Sequence, residues 1–180
     1  LAQQKSIASI LSKQESIINN LEKVIDKKEK ILKEFSHRLL SGEIRLKDEN
    51  GTISMYKNAD DNWKIEKVNG KEVNVPKDWD INILKNFYIK NPKSSFSVKD
   101  ISCSLGKFPA YNCSALLKYF SDDYLVDDEN LFISTGGNAF IHYLKGKANY
   151  SSDVFSFKVP YAHTKFIYSL IKNNILHFEN

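Results

Sequence analysis

The fold is decided first by residues 7–39, which read IASILSKQESIINNLEKVIDKKEKILKEFSHRL. Apolar pairs recur at every seventh position of this stretch, and a third, mostly apolar row lies between them. Because a lone helix drifts away from a strict seven-residue repeat, the pattern predicts a long coiled-coil-type helix that packs against other helices. The stripe is three positions wide, broader than a two-stranded seam. The residues predicted to dock partner helices are Ile10, Leu11, Ile17, Ile18, Leu21, Val24, Ile25, Ile31 and Leu32.

Breaks in this pattern indicate where the units of the chain begin and end. No Pro or Gly occurs before Gly42, so the helix is expected over residues 2–41. The following stretch is polar and weakly periodic, which is typical of a linker. Within it, Asn69-Gly70 favours a type I′ turn between two short strands, and therefore a small hairpin. The predicted units are a helix over 1–42, a linker with a hairpin over 43–76 and a domain over 77–180.

The predicted domain over 77–180 contains both strand and helix patterns, but they do not alternate as in a series of βαβ units. Strands are predicted at residues 131–134, 140–144 and 154–159, where apolar residues alternate or form short runs. Apolar residues at helical spacing predict a helix over 164–175, and an apolar cluster predicts a helical turn over 114–120. The chain is therefore expected to be α+β: a long coiled-coil-type helix followed by a small mixed α/β domain.

Composition restricts the class of protein more than it identifies a partner. The chain has 180 residues and a net charge of +4, which is mildly basic and does not by itself indicate nucleic-acid binding. Neither a secretory signal nor an apolar run of about 20 residues, the length of a membrane span, is visible. A cytoplasmic protein with no membrane association is expected. Cys103 and Cys113 lack zinc-site spacing and are interpreted as small core residues, with a disulfide as the alternative.

Catalytic patterns are weak throughout the chain. The four histidines are scattered, and neither a Gly-flanked nucleophilic Ser nor a phosphate-binding Gly-Lys-Ser/Thr loop occurs. The acidic residues at 122–123 and 127–129 have two interpretations, a divalent-metal site of a nuclease or a solvated turn, and the turn is the commoner use of such residues. We expect no enzymatic activity, no bound metal and no cofactor.

Three loop-like segments have compositions that suit DNA contact. Residues 106–114, 134–139 and 143–152 combine Lys, aromatic, amide and hydroxyl side chains with Gly or Pro. Such loops can place Lys on phosphates and polar groups against base edges, although a generic surface hairpin also explains any one of them. Phosphate contacts are expected from three of the lysines. The predicted DNA-binding residues are Lys107, Tyr111, Asn112, Ser114, Thr135, Asn138, Tyr143, Lys145 and Lys147.

The order of the segments resembles the specificity subunits of type I restriction–modification systems. Residues 3–12 (QQKSIASILS) are similar to the start of a spacer helix in that family, and residues 39–45 (LLSGEIR) to its end. The opening of a recognition domain is similar to residues 75–79 (VPKDW). The loops over 107–112, 136–137 and 146–153 resemble target-recognition segments.

The resemblance implies a protein that recognises DNA and performs no chemistry. Specificity subunits of this kind carry two target-recognition domains separated by two long antiparallel spacer helices. Two methyltransferase subunits bind them, the assembly methylates adenine within a split double-stranded DNA site, and a translocase–nuclease (restriction) subunit can join. This chain has one such helix and one partial recognition domain, so it is expected to be a fragment that pairs with itself or with another specificity fragment through the helix.

Two other classes of function remain open at this point. The first is a helix-mediated protein-interaction module, or a truncated and inactive specificity fragment, whose globular part does not read DNA. The second is a nuclease that uses the acidic cluster. Loss of association on placing a charge in the helix stripe would mark the first, and Mg²⁺-dependent cleavage would mark the second.

Overall fold

The computed structural model of the protein describes residues 1–46, 53–55, 63–101, 106–160 and 162–175. The chain divides into two compact units, Leu1–Lys77 and Asp78–Asn180. It is a mixed α+β protein, with one long N-terminal helix and a small β-rich domain. Among the described residues, no helix is both long and apolar enough to cross a membrane.

Unit 1 begins with helix α1, Ala2–Leu40, which confirms the predicted uninterrupted helix. The helix ends as expected at Gly42, whose φ of 80° is a left-handed conformation that favours glycine. The amide of Gly42 donates to the carbonyl of Leu39 at 3.2 Å, which satisfies one of the free carbonyls of the last turn. No residue of α1 is buried.

Two antiparallel strand pairs follow in unit 1. Strand β1 (Ile44–Leu46) pairs with β2 (Ile53–Met55), and β3 (Trp63–Val68) pairs with β4 (Lys71–Pro76). Asn69 and Gly70 join β3 to β4 with φ values of 51° and 78°, the two positive angles that a type I′ turn requires. The hairpin predicted at Asn69-Gly70 is therefore confirmed.

Unit 2 contains a four-stranded antiparallel sheet. Its strands are β5 (Ile89–Lys90), β8 (Glu129–Ser134), β9 (Ile141–Lys145) and β11 (Val154–Lys158), in the order β5-β11-β8-β9. Helix α2, Thr164–Asn173, packs on β8 and β9, and a 3-10 helix, Leu84–Asn86, precedes β5. The predicted strands β8, β9 and β11 and the predicted helix α2 are confirmed.

A second, three-stranded sheet completes unit 2, with the order β10-β6-β7. It consists of β6 (Phe108–Tyr111), β7 (Tyr119–Ser121) and β10 (Asn149–Tyr150), and β10 runs parallel to β6. The helical turn predicted over residues 114–120 is wrong. Leu116 and Leu117 suggested an apolar helical face, but both side chains are exposed in a loop. From Tyr119 onwards the chain pairs with β6.

The core of unit 2 has two apolar clusters, one on each face of β8. Leu131 and Phe132 are almost completely buried on opposite faces, as neighbouring residues of a strand must be. Leu131 packs with Phe157 and the α2 residues Ile167 and Ile171. Phe132 packs with a second cluster that includes Tyr150 of the three-stranded sheet. The other members of this cluster are Tyr111, Val126, Ala148 and Val154.

A buried amide network connects β5, β8 and β11. The side-chain amide of Asn91 donates to Asn130 Oδ1 and to Ser156 Oγ, both at 2.8 Å. The amide of Asn130 donates in turn to the carbonyls of Asp127 and Asp128, at 2.8 and 3.1 Å. Since buried polar groups need partners, these bonds stabilise the turn before β8, where Asp128 has a φ of 79°.

Candidate nucleic-acid interface

The predicted DNA-binding residues lie at two different ends of strand β8 in unit 2. The turn between β8 and β9 carries Thr135 and Asn138 at one end, whereas Lys145 pairs with Glu129 at the other. A six-residue strand separates its two ends by about 17 Å. We call residues 93–99, 112–118, 135–138 and 151–153 the loop end. Residues Lys107, Lys145 and Lys147 are called the lysine end.

A single backbone carbonyl joins three segments of the loop end. The carbonyl of Asp153 accepts the amide of Thr135 at 2.9 Å, the hydroxyl of Thr135 at 2.8 Å and the thiol of Cys113 at 2.9 Å. The loop after β6, the turn after β8 and the turn after β10 therefore meet at one point. Cys113 is a half-buried free thiol in this loop, so its interpretation as a core residue is wrong. Cys103 lies outside the described residues.

Further hydrogen bonds hold the individual loops in place. His142 Nε2 lies 2.8 Å from the carbonyl of Ser114, and since a carbonyl only accepts, the ring nitrogen carries the proton. In the β8–β9 turn, Ser134 Oγ donates to the carbonyl of Asn138 at 2.9 Å and accepts the amide of Phe140 at 2.8 Å. Both loops are therefore fixed by side chains of the sheet beneath them.

A fourth segment, before β6, also reaches the loop end. The Tyr150 hydroxyl donates to the carbonyl of Pro92, and the Ser152 amide donates to the carbonyl of Phe96 at 2.7 Å. These two bonds fix residues 92–96 beside the turn that contains Asp153. This segment is not among the loops predicted from the sequence, although its Pro-Lys-Ser-Ser composition at residues 92–95 is typical of a surface loop.

The lysines at the two ends differ in their partners. Lys93, Lys99 and Lys118 are exposed and have no ion pair within the part of the chain that the structure describes. Lys145 Nζ lies 3.3 Å from Glu129 Oε1. Lys147 Nζ lies 4.3 Å from the centre of the Tyr124 ring. Among the described residues, one of the three lysines at the lysine end therefore forms an ion pair, whereas the three at the loop end, which the sequence does not predict, form none.

Tyr111, one of the predicted base contacts, belongs to the core. Its ring stacks on Phe132 with 4.4 Å between centroids and an angle of 22°, and it lies 5.1 Å from the His142 ring. Burial is the main cause that raises the pKa of the Tyr111 hydroxyl. The side chain is only 5% exposed, so the predicted contact with a base is corrected to a packing role. Its position on β6 points it inward, because side chains of a strand alternate between faces.

The remaining predicted contacts are surface or half-buried residues. Thr135, Asn138, Lys107, Lys145 and Lys147 are exposed, whereas Asn112, Ser114 and Tyr143 are half-buried. Tyr143 packs beside Tyr168 of α2, with ring centroids 6.0 Å apart. The structure therefore brings four of the predicted residues together at the loop end: Asn112, Ser114, Thr135 and Asn138. The three predicted lysines lie at the lysine end.

The acidic cluster makes ion pairs with lysines. Asp128 Oδ2 lies 4.0 Å from Lys158 Nζ, at the rim of a cleft of about 360 Å³ beside the start of α2. Hydrogen bonds from Lys145, and then from Thr164, lower the pKa of the Glu129 carboxyl. Among residues with described positions, no three acidic, His or Cys side chains are grouped as metal ligands.

The candidate docking face lies on α1 in unit 1. The nine predicted docking side chains are all exposed, from 47% for Val24 to 68% for Ile31. A 39-residue helix is about 58 Å long, so the exposed stripe runs along several heptads.

No family model, curated protein or solved structure matches the chain. Function is therefore inferred from the geometry of α1 and of the loop end.

Proposed function

We propose that the chain is a non-catalytic DNA sequence-recognition fragment of a type I restriction–modification specificity subunit. In this proposal α1 docks the helices of methyltransferase subunits, and unit 2 is the partial target-recognition domain that meets double-stranded DNA. The observation that carries it is the heptad stripe of exposed apolar side chains on an uninterrupted helix. The resemblance of residues 3–12, 39–45 and 75–79 to that family supports the choice of partners.

The docking role follows from the cost of leaving such a stripe in water. Isolated exposed apolar residues are ordinary on a protein surface, but contiguous apolar surface of this extent marks an interaction site. The strict seven-residue spacing selects helices as partners, because only a supercoiled neighbour follows it over several turns. The three-position width suits contact with more than one helix, such as a second specificity fragment together with a methyltransferase helix.

A pair of substitutions tests the docking role. Ile18→Glu places a charge in the stripe, whereas Asn19→Glu adds the same charge at the next, outward-facing position. When methyltransferase subunits are co-purified with the full chain, Ile18→Glu should weaken the complex at least tenfold and Asn19→Glu should leave it intact. Equal complex formation by both variants would contradict docking through this face.

The DNA-reading role rests on the polar loops of unit 2. Amide and hydroxyl groups of Asn112, Thr135 and Asn138 lie at one end of the domain, on loops held by hydrogen bonds. Groups of this kind read base edges in the major groove, while lysines position the protein on phosphates. Gel-shift titration of the reconstituted complex against a pool of random duplexes should enrich a preferred site.

The second candidate is a helix-mediated interaction module that does not read DNA. The burial of Tyr111 favours it, because the most prominent aromatic of the predicted interface is unavailable to bases. The net charge of +4 is also modest for a DNA-binding protein. This candidate is supported if the complexes form through α1 but no duplex from the pool is enriched.

A further inference from the structure

We propose that the loop end of unit 2 is the face that meets DNA, with Lys93, Lys99 and Lys118 on phosphates and Asn112 and Asn138 on base edges. This inference rests on the proposed DNA-reading function and names the site that performs it. It replaces the phosphate contacts that the sequence predicts for the lysine end.

Hydrogen bonds that hold the segments of the loop end together support the proposal first. The carbonyl of Asp153 ties the β6–β7 loop to the β8–β9 turn, and Ser152 ties residues 93–97 to the same turn. A surface that is ordered before binding loses less conformational entropy when it contacts a ligand. Contacts to base edges also require side chains held in a defined register, which these hydrogen bonds provide.

Free polar groups at the loop end are the second argument. The side-chain amides of Asn112 and Asn138 have no hydrogen-bond partner within the described residues. Each amide offers both donors and an acceptor, the combination that pairs with the major-groove edge of adenine. In the β8–β9 turn, a Cβ added at Gly136 or Gly137 would meet no atom within 4 Å, so a duplex could approach the backbone of this turn closely.

The distribution of charge is the third argument. The three lysines of the loop end form no ion pair among the described residues, so their charge is available to phosphates. At the lysine end, Lys145 is paired with Glu129, and the side chain of Lys147 lies over Tyr124. DNA binding there would compete with these contacts and with the nearby carboxylates of Asp127 and Asp128.

Two triple variants of equal charge change test the assignment. The first is Lys93→Ala/Lys99→Ala/Lys118→Ala, and the second is Lys107→Ala/Lys145→Ala/Lys147→Ala. Binding of each full-length variant to a labelled duplex of mixed sequence is titrated by fluorescence anisotropy over a range of salt concentrations. Because each phosphate contact contributes about 0.9 to the slope of log K against log salt, loss of three contacts should lower that slope by about 2.7.

We expect the slope of log K against log salt to be about 2.7 lower for the first triple variant than for the wild-type chain. The second triple variant should keep the wild-type slope. The reverse result would overturn the loop-end assignment while leaving the DNA-reading function intact, and an equal loss in both variants would overturn it as well. Absence of salt-dependent binding by the wild-type chain would overturn both proposals.

A double variant separates reading of bases from phosphate contact. Asn112→Ala/Asn138→Ala should keep the wild-type salt slope on the mixed-sequence duplex and lose the preference for the enriched site by at least tenfold. An unchanged preference would contradict the role given to these two amides. Circular dichroism of each variant verifies that unit 2 remains folded.

Discussion

Helix α1 and strand β8 place similar apolar residues in opposite environments. In α1, Ile18 and Ile25 recur with the seven-residue period and remain more than half exposed. In β8, Leu131 and Phe132 are adjacent and almost completely buried, one on each face of the sheet. Spacing, rather than apolar content, therefore distinguishes the exposed stripe of α1 from the buried core of unit 2. A seven-residue period is satisfied by another helix, whereas a continuous run is satisfied on both faces of its own sheet.

Truncation of one buried and one exposed side chain should give the largest difference in stability between the two regions. Phe132→Ala leaves a cavity between the two sheets and should lower the free energy of unfolding by about 3–5 kcal/mol. Ile25→Ala removes an exposed side chain and should change it by less than about 0.5 kcal/mol. Urea denaturation followed by far-ultraviolet circular dichroism, with the chain at concentrations where it is monomeric, measures both. A comparable loss in Ile25→Ala would mean that the α1 stripe is covered in the isolated chain.

Much of the fold could be predicted because its signals are local. The heptad stripe predicts α1, Asn69-Gly70 predicts the β3–β4 hairpin, and alternating apolar residues predict β11. The segment at residues 114–120 is wrongly predicted as a helical turn because its two leucines mimic an apolar helical face, although both side chains are exposed. Its end is determined by pairing with β6, a long-range contact that no local pattern reveals.

The candidate site was predictable only in part, for a similar reason. Asn112, Thr135 and Asn138 were chosen from loop composition, and the fold brings them together through the Asp153 carbonyl. That carbonyl has no signature in the sequence, because any residue supplies one. The base contact predicted for Tyr111 is wrong because this residue is the last of strand β6 and not the first of the loop that follows. The sequence does not distinguish these two positions.

A pair of asparagine truncations tests whether unit 2 depends on buried polar groups as well as on its apolar core. Asn130→Ala removes three hydrogen bonds: the Asn91 amide keeps Ser156 Oγ, the Asp128 carbonyl keeps the amide of Gly146, and the Asp127 carbonyl loses this partner. A buried polar group deprived of a hydrogen bond costs about 1–3 kcal/mol, so we expect a loss of about 1–3 kcal/mol in the free energy of unfolding. Asn82→Ala removes an exposed amide that accepts from Asn86, and should cost less than about 0.5 kcal/mol. Equal losses in the same urea titration would show that the network contributes no stability.

A glycine substitution tests the hairpin of unit 1, where backbone conformation rather than burial determines stability. Gly70→Ala adds a methyl group that meets no atom within 4 Å, so its cost comes from the φ of 78° and should be about 1 kcal/mol. Gly136→Ala also adds a methyl group in open space, at a position without a positive φ, and should be nearly neutral. Hydrogen exchange of the β3 and β4 amides should accelerate only in Gly70→Ala. Unchanged exchange there would exclude a type I′ turn in solution.

The smallest expected effect concerns the ion pair at the lysine end, and it bears on which end of unit 2 is free to bind DNA. Hydrogen bonds from Lys145 and Thr164 lower the pKa of Glu129 below its ordinary value of 4.5. A carboxyl group whose pKa is lower in the folded state stabilises that state above the unfolded pKa, and this contribution is lost as the pH falls through the folded value. Glu129→Gln should therefore weaken the dependence of unfolding free energy on pH below about 4.5. Asp122→Asn, at an exposed carboxyl group without an ion pair among the described residues, should leave the dependence near that of the wild type. If both variants followed the wild-type curve, the Glu129–Lys145 pair would be absent in solution, and the charge of Lys145 would be as available to phosphates as that of Lys93 or Lys118.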